Sequence, residues 1–485
     1  MKMIRPPIAY LLASALSLAG CEGGGITGTG FDKLPVSVGV ITNFGSIYVN
    51  GIKFATSAES KVKLDDVIGS ENDLKIGMVV SIAGSINADG LTGAATQIIF
   101  ADDVEGSVLS NNIATISDPT DPLYNTLNIM GQTIHVDADT TFESNIDSVL
   151  IIDDIQPGNI VEVSGFNSGD GHIYATRIEA KKAAYVAGED IEVTGLIKST
   201  TSTTFQIGSL TVLYGNAELA DIPNNTIKDG LFVEVKSKQG INTDGQLVAD
   251  KIELEGDGTK KFEVQVDQKL ELEGIISQFD AAKQTFVLNG QLVSFDSTSP
   301  LAQLGDGVKI KVDGNINADG VLVVSKYEAK KEANVQVSAF VESVDASKNT
   351  LVILGQTIQL STSTTMNDEK DVGNIRKFTI SDIKAGDYVR VSAFYDPSAS
   401  AWQATKLERD DAEDEQVELQ GIIINSTPES GLIEVAGVSI DISALTEFNV
   451  SIGDEVDIEG TYSNGSIIAG EESEFESRGE LNGAG

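Results

Sequence analysis

Apolar and polar residues alternate in short runs along most of the chain, and the runs are separated by glycine, asparagine and aspartate. Val308-Lys309-Ile310-Lys311-Val312 shows the pattern plainly. Every second side chain is apolar, which predicts a strand with one face in a core and its lysines facing out. Beyond the first 30 residues helical periodicity is hard to find. A period of two broken by turn residues predicts an all-β protein of short antiparallel strands.

The strands recur as one module written six times. Each copy opens on an apolar strand containing glycine, then forms a hairpin with glycine between two alternating strands. A Gly-x-x-Val strand follows, then an Asn or Asp turn before glycine and a closing strand. The four glycines are Gly39, Gly51, Gly77 and Gly90 in the first copy and Gly106, Gly131, Gly158 and Gly171 in the second. They are Gly195, Gly208, Gly230 and Gly245 in the third and Gly274, Gly290, Gly307 and Gly320 in the fourth. The fifth keeps Gly355 and Gly386, opens on Ala339 and replaces its last turn by Asp396-Pro397; the sixth uses Gly421, Gly437, Gly453 and Gly465. Five short strands per copy read as a small antiparallel barrel or sandwich, with a short helix or loop between hairpin and fourth strand.

Weakly apolar, charged segments mark the boundaries, the sharpest being Glu408 to Glu415, expected to form an acidic joint. The division is a leader at 1–20, a cysteine and glycine-rich tether at 21–35, and modules at 36–103, 104–183, 184–258, 259–332, 333–409 and 410–475. Residues 476–485 form an acidic, glycine-ended tail. Set in single file, six such modules would form an elongated array on the order of 170 Å long.

The N-terminus changes the picture. Lys2 and Arg5 precede the apolar run Ile8 to Leu18, which is too short to span a bilayer and reads as a secretory signal. Leu18-Ala19-Gly20-Cys21 resembles the bacterial lipobox. That resemblance implies cleavage before Cys21, lipid on its thiol and acylation of its new amino group. More than one acyl chain anchors a protein stably, and the glycines up to Gly30 then form a flexible tether. Glu22 stands where the resemblance would place an aspartate for inner-membrane retention, so the expected location is the outer membrane. The membrane is thus an expected partner through a covalent lipid, and no other cofactor is expected.

Gly39-Val40-Ile41-Thr42-Asn43-Phe44-Gly45-Ser46-Ile47-Tyr48-Val49-Asn50-Gly51-Ile52-Lys53-Phe54, with Leu74-Lys75-Ile76-Gly77-Met78-Val79-Val80, resembles the bacterial family called domain of unknown function 5666. The resemblance implies envelope lipoproteins carrying tandem OB-like β modules behind a glycine-rich stretch. It brings no catalytic residues and no defined ligand.

Charge and composition then exclude several chemistries. Asp and Glu number 73 against 33 Lys and Arg, a net charge of −40, which becomes −42 once Lys2 and Arg5 are removed. Nucleic-acid binders need a basic groove with exposed stacking aromatics. This chain is 6% aromatic, and Phe54, Phe205, Phe286 and Phe340 occupy core-like strand positions, so no nucleic acid is expected. A single cysteine excludes a disulfide framework. The two histidines, His135 in an alternating strand and His172 at a hairpin tip, have no partner at motif spacing. No nucleophile elbow or phosphate loop occurs, so no enzyme is expected. Asn87-Ala88-Asp89-Gly90, Asn242-Thr243-Asp244-Gly245 and Asn317-Ala318-Asp319-Gly320 look superficially like calcium loops. Glycine in fourth place and a strand directly after it favour hairpin turns, with calcium the weaker reading.

The expected role is a structural or adhesive scaffold held on the envelope by lipid. The alternative is an envelope glycan- or peptide-binding protein using one or more barrel faces. Its candidate ligand residues are Trp402, the only tryptophan, and the nearby Tyr395.

Overall fold

The first module shows how the alternating pattern closes on itself. The computed structural model describes residues 34–65, 67–113, 125–255, 265–370, 372–412, 416–427, 431–445 and 450–476. The opening strand Val36–Asn43 pairs antiparallel with Ile47–Val49, which pairs with Ile52–Ala55. That third strand runs parallel to the closing strand Thr92–Phe100, which pairs with the fourth strand Val79–Ile86, and the fourth returns to the opening strand. The order 1-2-3-5-4-1 closes a five-stranded OB-like barrel but leaves the outer side of Val36–Val38, at the start of the opening strand, open to a further neighbour.

The same parallel pairing of third and closing strands recurs in the other five copies. The OB-like arrangement thus recurs along the chain, although in module three the closing strand is split into Gln246–Val248 and Lys251–Leu254, which pair in separate sheets. Phe54, Phe205 and Phe286 fill barrel cores, as their positions predict, whereas Phe340 is half-buried edge-on to Tyr388. Among the described residues there is no α-helix. Single 3-10 turns, such as Glu71–Asp73 and Ile380–Asp382, bridge hairpin to fourth strand in modules one to five.

The opening glycine answers to the hairpin turn folded over it. A Cβ on Gly39 would lie 2.2 Å from Asn50 Oδ1, and one on Gly106 would lie 2.4 Å from Met130 Sδ. Asn50 and Met130 themselves sit at positive φ beside the hairpin glycines, so the turn side chain lies back across the opening strand.

The elongated single-file array is not what forms. The opening strand of module one lies parallel to that of module four, Lys269–Ile275, with Val36 opposite Leu270 and Val38 opposite Leu272. The opening strands of modules two and three, Val104–Asn111 and Ile191–Leu196, pair antiparallel. Those of modules five and six, Val335–Phe340 and Val417–Thr427, do the same. Further bonds tie these pairs together. Thr176 Oγ1 of module two donates to Gly77 O of module one at 2.6 Å, and Ser164 Oγ accepts from Val79 N at 2.9 Å. Module five docks on both: Arg376 donates to Leu74 O at 2.9 Å and lies over the Phe44 ring, while Ser392 Oγ donates to Ala138 O at 2.7 Å. Alternation alone cannot reveal this, because every outward face reads as polar whether it meets water or another barrel.

The outward lysines illustrate the point. Lys311 faces out of its barrel as expected, but it meets the module junction, 3.3 Å from Glu271 and 3.4 Å from Asn50 O. The expected acidic joint also begins later than its charges suggest. The closing strand of module five runs to Asp410, and Arg409 within it clamps buried Asp368, Nε to Oδ1 at 2.9 Å, with its guanidinium over Phe378.

Candidate functional site

Where modules one, two, four and five meet, they enclose a cavity of about 350 Å³. Module one contributes Thr42 and Asn50 from its first hairpin, and module two contributes Asp137 and Asp139 from a turn. Module four supplies Glu273, Lys309 and Lys331, and module five supplies Ser361, Ser363, Phe394 and Thr405. The lining is hydroxyls and paired charges around one aromatic ring. Lys331 Nζ lies 4.9 Å from the centre of Phe394 and 3.7 Å from Asp396 Oδ1. Thr405 Oγ1 donates to Asp139, whose carboxyl is pushed up by burial and by Asp137. Burial opposes the charge on Lys309, but Glu273, Asp139 and Asp137 outweigh it and hold the ammonium above its ordinary value.

The residues singled out in the sequence fall elsewhere. Tyr395 and Trp402 do come together, paired across adjacent strands with ring centres 5.5 Å apart and edge-on. Phe394 and Gln403, their neighbours in the ladder, line the cavity, so Tyr395 and Trp402 belong to the opposite face of the strands. Trp402 packs against the core of its barrel, and Tyr395 is exposed. Leu18, Ala19, Gly20 and Cys21 lie outside the described residues.

The histidines, which have no partner at motif spacing, meet each other across the fold. Parallel pairing of third and closing strands sets His135 Nε2 2.9 Å from His172 Nδ1, with Tyr174 stacked 4.6 Å from the His135 ring. Burial and the neighbouring imidazole lower the His135 pKa. The repeat pattern carried the signal, because both histidines occupy strands that pair in every copy.

The Asn-x-Asp-Gly segments are hairpin turns. Asn242 Oδ1 accepts from Asp244 N and Gln246 N at 2.9 Å, and Asn317 Oδ1 accepts from Asp319 N and Val321 N. Asp89 Oδ1 does the same for Leu91 N and Thr92 N. These oxygens serve their own backbone.

Carboxylates gather instead at the junction of modules one, two and three. Glu105 stands opposite Glu162 on one side and opposite Glu192 on the other. Asp65 and Asp102 of module one close over the row, with Asp65 Oδ1 accepting from Asp102 N at 3.1 Å. Lys181 pairs with Glu162, and Lys236 Nζ lies 2.8 Å from Glu192 Oε2. Burial, then the charges of Glu192 and Glu162, push Asp65 up to about 7. Burial, Glu192 and Asp65 drive Asp102 well above the usual carboxylate range. Burial is also the main reason that Glu105 reaches about 7.

Six tandem repeats of a small OB-like β module, joined in pairs through their opening strands, define a tandem-barrel protein. A family model described as a domain of unknown function (DUF5666) matches residues 38–99, 113–179, 194–253, 273–326, 338–408 and 421–471. The chain belongs to that family. No curated protein matches it. No helix among the described residues is long and apolar enough to cross a membrane, which leaves strands out of account.

Proposed function

We propose that the chain is a lipid-anchored protein of the bacterial envelope that binds a hydroxyl-rich ligand, an envelope glycan, in the cavity between modules one, two, four and five. The observation that carries this reading is the cavity itself. At about 350 Å³ it is of ligand size and lies at a domain interface, where small-molecule sites concentrate. Thr42, Ser361, Ser363 and Thr405 offer hydroxyls, Lys331 offers a cation, and Phe394 offers a flat apolar face for a sugar ring. The anchor rests on the lipobox-like sequence at Cys21. No catalysis is part of this reading.

A glycan array probed with the chain from Glu22 tests it. Phe394→Ala and Lys331→Ala should lose binding at unchanged melting temperature, while Trp402→Ala should keep it. Loss on Trp402→Ala alone would move the site to the other face of those strands and sink the cavity assignment.

A scaffold role is the second reading, favoured by the strand pairings that weld the modules in twos. It predicts no saturable glycan signal, together with capture of an envelope protein by the immobilised chain.

A further inference from the structure

Two module junctions share one register but differ in the chemistry of one facing pair. In modules five and six Ser338 stands opposite Glu418, and Ser338 Oγ donates to Glu418 Oε2 at 2.9 Å. In modules two and three the corresponding pair is Glu105 opposite Glu192. The correspondence is positional. Ser338 and Glu105 directly precede the landmark residues Ala339 and Gly106, and Glu418 and Glu192 stand three before Gly421 and Gly195. One junction satisfies its glutamate with a hydroxyl. The other faces it with a second carboxylate, and like charges directly opposite one another repel.

Module one adds to the repulsion by bringing Asp65 and Asp102 over the same row. Two oxygens there have no hydrogen-bond donor, Asp102 Oδ1 and Glu192 Oε1, on residues only 3% and 6% exposed. A buried carboxylate without a partner is costly, so something positive belongs between them.

We infer that this junction is a calcium site whose carboxylate ligands are Asp65, Asp102 and Glu192. Their oxygens all lie within 4.8 Å of one another. Calcium–oxygen distances of about 2.3–2.6 Å place oxygens on opposite sides of the ion roughly 4.6–5.2 Å apart. The donors are hard oxygens with no nitrogen or sulfur among them, which selects calcium or magnesium over softer metals. Magnesium demands a smaller and stricter octahedron of ligands at about 2.0–2.1 Å, which three strand- and turn-borne carboxylates from two modules do not supply. Asp102, Glu105 and Glu162 form a second such group around the same Asp102; Lys181 engages Glu162 as Lys236 engages Glu192 Oε2, but only Glu192 keeps a buried oxygen, Oε1, without a donor. The ion joins module one to module three through Asp102 and Glu192. The competing occupant is a proton shared between those two carboxyls.

Calorimetric titration of the chelator-treated chain from Glu22 with calcium alone, at physiological salt, decides between them. The expected result is one saturable calcium per chain above weak surface binding, with a higher melting temperature. Asp102→Asn and Glu192→Gln should each weaken that binding by roughly tenfold or more. Asp89→Asn, in an exposed hairpin turn, should leave it unchanged. Absence of saturable uptake by the parent chain would overturn the site and leave the shared proton. Uptake undiminished in both junction variants would overturn it too. Should those variants not fold, crystals of the parent chain soaked in manganese settle the same question. An anomalous peak between Asp65, Asp102 and Glu192 supports the site, and peaks only elsewhere overturn it.

Discussion

Ser37, on the opening strand of module one, donates a 3.0 Å hydrogen bond to Glu271, on the opening strand of module four, 234 positions away. Both are nearly sealed from water. Burial pushes the Glu271 carboxyl up, and Lys311 at 3.3 Å pulls against that shift. A hydroxyl bonded to a buried carboxylate is worth about 1.5–3 kcal/mol. Ser37→Ala should destabilise the junction by that amount, read as an earlier transition in urea. An unchanged denaturation curve would show that Lys311 alone satisfies Glu271.

The fourth strands of modules one, two and four carry Gly84, Gly165 and Gly314 where the chain bulges against its neighbour, and module five has Ala393 there. A Cβ on Gly314 would meet Val323 O at 2.2 Å, a backbone atom in a paired strand that has no room to yield. Gly314→Ala should cost about 1–3 kcal/mol by overpacking. Gly305→Ala, where nothing lies within 4 Å, should stay within about 0.5 kcal/mol. Thermal melting of the two variants side by side checks the contrast, and equal melting temperatures would refute it.

Module six should be more stable in mild acid. Burial, then the charges of Glu418, Glu474 and Glu455, push Asp457 up to about 6. An unfolded aspartate titrates near 4, so between about pH 4 and 6 the folded chain holds a proton that the unfolded chain releases. Stability from this group is therefore present at low pH and lost as pH rises through that window. Melting followed from pH 4 to pH 7 should show the stability of module six falling as pH rises, and Asp457→Asn should flatten that dependence.

Cys21→Ser tests the anchor. Without the thiol there is no diacylation, so the signal peptidase specific for lipoproteins should not cut after Gly20. The variant should run as precursor without palmitate label while its barrels fold unchanged. Full labelling of Cys21→Ser would refute the anchor and the envelope location that depends on it.

The barrels were legible because turns demand particular residues. Gly51, Gly77, Gly90 and their counterparts sit at positive φ, where glycine is favoured and its spacing shows. The pairing of barrels was not legible. Val36 and Leu270 look like any other apolar strand residues, and nothing local distinguishes an edge that meets a distant module from one that meets its own. The acidic junction was hidden differently. With 73 acidic residues, Asp65, Asp102 and Glu192 stand out only when three stretches of chain converge. Lys331 and Phe394 escaped notice because their cavity is built from four modules, whereas Trp402 drew attention by rarity alone.

The opening strand of module one finds its outer neighbour only when module four has been made, while modules two and three, which lie between them in the chain, pair with each other. A chain emerging from its N-terminus therefore holds one barrel with an unmatched strand in waiting until some 230 further residues have followed. Loss of module four would strand module one, and loss of module six would strand module five. Lengthening or shortening by a single repeat would leave one opening strand without its neighbour, whereas duplication or deletion of both halves of a couple keeps every such strand matched.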